Sequence, residues 1–205
     1  MITPESLTIV GNSAGAVHVA TYLYRDAIKD YELALAPLAT DPTLLPDRHD
    51  PLHPSGAMLI GMPAHFRLAT PDRSPVLFGY HCPELFGKPG TSEQQMRELT
   101  EERCPIGLRK RSGDRTRVGT MLADLDPEPE IAGPVLIHPT LSPRCLPLRA
   151  TQSREFSKVY EEITGIPAQE IHIDGHNHIS VPLGLGLGGK EEAWGHDLIK
   201  WINGA

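Results

Sequence analysis

Four short apolar runs, each closed by glycine or by a polar turn, set the rhythm of this 205-residue chain. Leu7–Val10 is rich in β-branched residues, and Gly56–Gly61 (GAMLIG) is apolar throughout. Val118–Leu122 follows a basic stretch, and Glu170–Ile173 alternates polar with apolar positions. Short runs of this kind read as strands, and an unbroken apolar run reads as a strand buried on both faces. Between the runs the period lengthens. Ala16, Val19, Ala20, Leu23 and Tyr24 recur at helical spacing and predict a helix from Ala14 to Asp26. A polar helix is predicted to run through Arg103, with Thr91 or Ser92 as N-cap and Glu93 in its first turn. Glu155–Thr164 reads as a short helix ended by Gly165 and Pro167, and a closing helix runs from about Glu191 to Ile202.

Strands alternating with helices predict an α/β domain, its sheet mostly parallel and covered by helices on both faces. Residues 1–205 form one domain on this reading. Pro37, Pro42, Pro46, Pro51 and Pro54 mark 36–56 as loop, and 62–116 reads as irregular or helical in pieces. Arg109–Arg117 is basic, but Ser112-Gly113-Asp114 interrupts it and it holds no aromatic residue. It reads as a solvated loop rather than a nucleic-acid contact.

Composition narrows the function classes. A hydrophobic share of 40% and a charged share of 22% describe a soluble globular chain. The net charge of −7 argues against nucleic acid or an anionic membrane as the main partner. No apolar run approaches the roughly 20 residues that cross a bilayer. Cys82, Cys104 and Cys145 lack C-x-x-C spacing and read as a reduced, intracellular set, so a cytoplasmic location is expected.

The chemistry begins at Gly11-Asn12-Ser13-Ala14-Gly15, which fits G-x-S-x-G directly between the first strand and its helix. A sharp strand-to-helix turn lifts a serine hydroxyl above the sheet edge, and the glycines let neighbouring backbone pass close by. The helix N-terminus adds partial positive charge, and the Ala14 N–H can face a developing oxyanion. In parallel sheets, reactive groups gather at the carboxyl ends of strands. Three strand ends here carry Ser13, then Asp126 with Asp124 nearby, then His176 and His178.

That order, and three segments, carry a resemblance. Ile9–Ala20 (IVGNSAGAVHVA), Leu122–Ile131 (LADLDPEPEI) and Gly175–Ile202 together make about a quarter of the chain. The chain resembles the C-terminal two-thirds of an α/β-hydrolase of the carboxylesterase and arylformamidase-like kind. The resemblance implies Ser13 as nucleophile, Asp126 as the acid (Asp124 the alternative) and His178 as the base (His176 the rival). It implies two-step acyl transfer on a small-molecule ester or amide, with no cofactor and no metal. The family's earlier strands and its His-Gly-Gly-type loop have no counterpart, so a partial, N-terminally truncated α/β-hydrolase fold is expected. The elbow strand would then lie at an exposed edge, which favours self-association, and activity would be impaired.

Asp126 and His178 are 178 − 126 = 52 positions apart, long for one turn, helix and strand. The run 135–153 accounts for the excess and is expected to be an insertion or a translated intron. Other readings compete with turnover. A non-catalytic hydrolase remnant or interaction protein would keep the half-sheet alone. Asp174, His176 and His178 could start a zinc site. Gly184–Gly189 lacks the Lys-Ser/Thr of a phosphate-binding loop and reads as a flexible loop near the site rim.

Overall fold

In a computed structural model the chain is described at residues 7–28, 54–66, 98, 101–123, 149–178 and 180–204. Four strands, β1 (Thr8–Asn12), β2 (Gly56–Ile60), β3 (Arg117–Ala123) and β4 (Gln169–Ile173), form one sheet in the order β1-β2-β3-β4. All three pairings are parallel. The four expected strands are therefore present, each within two residues of its predicted ends. β1 runs on to Asn12 because its ladder with β2 continues: Asn12 pairs with Ile60, and the Ser13 N–H donates to the Ile60 carbonyl at 2.9 Å.

Among the described residues, the α-helices with defined bounds are α1 (Ala14–Leu23), α2 (Pro105–Arg111), α3 (Arg149–Thr164), α4 (Ser180–Leu183) and α5 (Ala193–Ile202). Right-handed crossovers that step in one direction across a parallel sheet leave their helices on one face. The core follows that rule. Ala57, Leu59 and Val118 pack with Ala16, Ala20 and Leu23 of α1, Ile106 and Leu108 of α2, and Phe156 and Tyr160 of α3. The opposite pleat positions, Met58, Ile60, Met121, Ala123 and Ile173, pack with Val181 of α4 and Trp194 and Trp201 of α5. β2 is buried at every position, as a strand covered on both sides must be. The α/β class with helices on both faces is thus present. Arg117 fastens the second layer: its guanidinium lies 4.1 Å from the Trp201 ring and donates to the Trp201 carbonyl at 2.8 Å.

Two segments differ from expectation. Arg109–Arg117 is not a solvated loop, since Arg109 to Arg111 end α2, Arg117 begins β3, and Arg109 is fully buried. Its guanidinium sits 5.1 Å from the Tyr24 ring and 5.4 Å from the Tyr160 ring, and Nη1 donates to the Ser112 carbonyl. Cation–π attraction offsets part of the desolvation cost. Nε and Nη2 nonetheless have no hydrogen-bond partner among the described residues. Arg109→Met, which keeps the volume and removes the buried charge, is therefore expected to change unfolding free energy by less than about 1 kcal/mol. Arg109→Ala leaves a cavity and should cost about 2 kcal/mol, read from urea midpoints.

The second difference is α3, which starts at Arg149 rather than Glu155. Gln152 and Ser153, the last residues of the run expected to be inserted, are buried. The Gln152 Oε1 accepts from the Ala64 N–H at 2.9 Å, and the Ser153 hydroxyl reaches the Thr120 hydroxyl at 3.2 Å. Those residues thus belong to the packed helix. Positions 135–148 of that run lie outside the described residues, as do most of 36–56 and of the polar helix expected to run through Arg103.

Candidate active site

Ser13 stands between the last residue of β1 and the first of α1 with φ 54° and ψ −120°. Among the described residues it is the one non-glycine residue with positive φ. Such a conformation costs on the order of 1–3 kcal/mol and persists where the surrounding structure enforces it. Here the enforcement comes from both sides. The Ser13 N–H continues the sheet ladder to Ile60, while the Ser13 carbonyl already accepts from the Ala16 and Val17 N–H groups at 3.0 and 3.2 Å. One residue must finish a strand and open a helix, with no loop between them. This is the strand–serine–helix turn that the pentapeptide predicts. Ser13 is half-buried, and Ala14, whose N–H lies at the helix N-terminus, is exposed.

Register sets the four strand ends level at one sheet edge. Asn12, Ile60, Met121 and Ile171 lie level across the four strands. β3 ends at Ala123, directly before Asp124 in the sequence, and β4 ends at Ile173, directly before Asp174. Asp124 and Asp126 lie outside the described residues. Strand spacing puts the ends of β1 and β4 roughly 14 Å apart. A histidine that serves Ser13 must come back across β3 and β2. His178 stands five positions beyond Ile173, and five extended residues span at most about 17 Å.

The two histidines occupy different settings. His176 is buried, and its Nδ1 lies 3.2 Å from the Ser180 hydroxyl. His178 is half-buried, two residues further along the same turn. Asp174 is exposed, and among the described residues no three His, Cys, Asp or Glu side chains gather as a metal site. Asp174, His176 and His178 thus do not form the zinc site weighed above. His18 is exposed on α1.

Two further groups bear on the chemistry. Cys104 is buried, accepts from the Gly107 N–H, and has its thiol pushed up by burial, so it is a helix cap and a poor nucleophile. The glycine-rich segment is closed on itself, since the Gly186 N–H donates to the Glu192 carboxylate at 2.8 Å. An anion would meet that carboxylate in place of a free donor.

Beside the elbow strand lies a groove of about 400 Å³ lined by Val10, Leu185, Trp194, Leu198 and Ile199, among others. The main chain of β1 faces outward at alternate residues. Leu7 and Ser13 bond towards β2, so Thr8, Val10 and Asn12 direct their N–H and C=O groups away from it. Val10 is 42% exposed, a high value for an apolar residue on a parallel strand.

Sequence reasoning did not single out Ser180. The signal was local: Asn177 and Ser180 are three apart at a helix start, the spacing of a reciprocal cap. No helix among the described residues is long and apolar enough to cross a membrane. No protein-family model matches the chain, and no curated protein matches its sequence.

Proposed function

We propose that the chain is a serine hydrolase of the carboxylic-ester class, extending to aryl amides and formamides, built on an α/β-hydrolase fold. The carrying observation is the backbone of Ser13, strained at φ 54° between a parallel strand and a helix. Ser13 attacks the carbonyl, and the histidine of the β4 loop takes its proton: His178 by the family pattern, with His176 the alternative. Asp126, or Asp124, holds the imidazole in the tautomer that accepts a proton. The strand order supports that pairing, because β3, which leads into both aspartates, neighbours β4. The Ala14 N–H, at the positive end of α1, stabilises the tetrahedral oxyanion. Removing one such donor typically costs roughly 100- to 1,000-fold in rate. Collapse of the intermediate releases the alcohol or amine, and water then hydrolyses the acyl-serine.

A fluorophosphonate probe tests this reading directly. The folded chain is expected to be labelled, and Ser13→Ala to show no label at equal concentration and equal far-ultraviolet circular dichroism. A folded wild-type chain that takes no label rejects the activated nucleophile.

A second reading, an interaction protein that keeps the half-sheet without turnover, is favoured by the outward-facing main chain of β1 and the exposure of Val10. It predicts self-association of an unlabelled chain in sedimentation velocity, lost on Val10→Lys. The hydrolase reading needs no such association.

A further inference from the structure

The turn between β4 and α4 carries both candidate bases, and one hydroxyl organises it. The Ser180 Oγ accepts from the Asn177 N–H at 2.8 Å, while the Asn177 Oδ1 accepts from the Ser180 N–H at 2.9 Å. This reciprocal cap closes the first turn of α4 around Asn177 and His178. The same hydroxyl has two further neighbours at 3.2 Å, the Asn177 carbonyl and the His176 Nδ1. The buried His176 ring also lies close to Gly184, where an added Cβ would stand 3.2 Å from Cε1. A ring so confined has little freedom to turn.

Counting protons decides what the ring carries. A hydroxyl has one proton to give and two lone pairs, one of them already used by the Asn177 N–H. If the proton goes to the Asn177 carbonyl, the His176 Nδ1–H donates to Oγ and all three contacts are hydrogen bonds. If the proton goes instead to Nδ1, the Asn177 carbonyl keeps the Val181 N–H at 3.2 Å but faces Oγ lone pair to lone pair. The first arrangement avoids that repulsion and gives the carbonyl a second donor. It makes neutral His176 the Nδ1–H tautomer, with its lone pair on Nε2.

We propose that Ser180 is a positioning residue: its hydroxyl locks His176 in the Nδ1–H tautomer and, through that ring, fixes the turn that presents His178 to Ser13. The catalytic half of this inference rests on the hydrolase reading above. The tautomer half does not.

The experiment pairs two readouts on the whole chain. Two-bond nitrogen–proton spectra at pH 8 report the His176 tautomer, and the rate of fluorophosphonate labelling reports the presentation of the base. Wild type and Ser180→Thr, which keeps the hydroxyl, are expected to show Nδ1–H. Ser180→Ala is expected to move His176 towards Nε2–H and to label Ser13 at least ~10-fold more slowly, since small displacements of a catalytic group carry penalties of that size. His196, on α5, is expected to be unchanged and serves as internal control. A wild-type His176 protonated on Nε2, a tautomer that Ser180→Ala does not move, or full-rate labelling of Ser180→Ala overturns the proposal. A wild type that takes no label, yet whose His176 responds to Ser180→Ala, overturns the hydrolase reading and leaves the hydroxyl lock supported.

Discussion

Replacing Ser13 by glycine is expected to abolish fluorophosphonate labelling and, in the same variant, to raise the stability of the chain. The loss of label follows from removing the one oxygen that the proposed chemistry needs. The gain has a separate cause. At φ 54° and ψ −120° a side chain crowds its own backbone, a penalty on the order of 1–3 kcal/mol that glycine does not incur. Against this stands the larger entropy that glycine loses on folding, about 0.5–1 kcal/mol. A net gain of about 1 kcal/mol remains, measurable as a shift of the urea midpoint at constant slope. Ser13→Ala separates the two effects: it also removes the label but keeps a Cβ at the strained position, so it should show no comparable gain. A Ser13→Gly variant less stable than wild type would show that the hydroxyl holds the turn together, and the strain could no longer be read as a functional cost.

How much of this was legible beforehand differs by element. Strands β1 to β4 were readable because each is a compact apolar or β-branched run between glycines and polar turns. Their ends were less so, because a ladder stops where a partner stops: β1 gains Gly11 and Asn12 from pairing with Leu59 and Ile60. The start of α3 was hidden for the same reason. Gln152 is polar and sits in a proline-rich neighbourhood, and its reason to be helical is the Ala64 N–H, 88 positions away. Arg109 misled most. Charge in a basic stretch reads as solvent-facing, whereas the rings that receive it, Tyr24 and Tyr160, come from α1's end and from α3. Pattern within a window does not contain partners outside it.

The elbow was more legible than the packing around it. G-x-S-x-G is a statement about one turn, and one turn is what a short motif can encode. That Ser13 and the His176/His178 turn follow strands ending level at one sheet edge comes from parallel topology, so reading the strands in order was enough to expect it. What local pattern left open was which histidine does what. That depends on hydroxyl and carbonyl neighbours of Nδ1, and the Asn177–Ser180 cap supplies them at one of the two rings.

The two glycines of the pentapeptide, equal in the motif, are not equal in the fold. Gly11→Ala is expected to cost on the order of 4 kcal/mol or to prevent folding altogether, because overpacking against main chain has no cheap relief. A Cβ there would stand 2.6 Å from the Gly15 carbonyl oxygen and 2.7 Å from the Ala16 N and Cα. All three are backbone atoms of α1, held by the helix and by the packing of Ala16 and Ala20 into the core. Neither β1 nor α1 can retreat without breaking the Ser13–Ile60 ladder bond that fixes the elbow. At Gly15 the added Cβ meets nothing within 4 Å. Gly15→Ala therefore carries only the helix-propensity difference and should stabilise α1 by up to about 1 kcal/mol, leaving labelling at Ser13 intact. Thermal midpoints of the two variants moving in opposite directions would assign the motif's first glycine to close approach of strand and helix. Equal destabilisation would instead mean that something approaches Gly15 in the working protein, at the face proposed to receive the oxyanion.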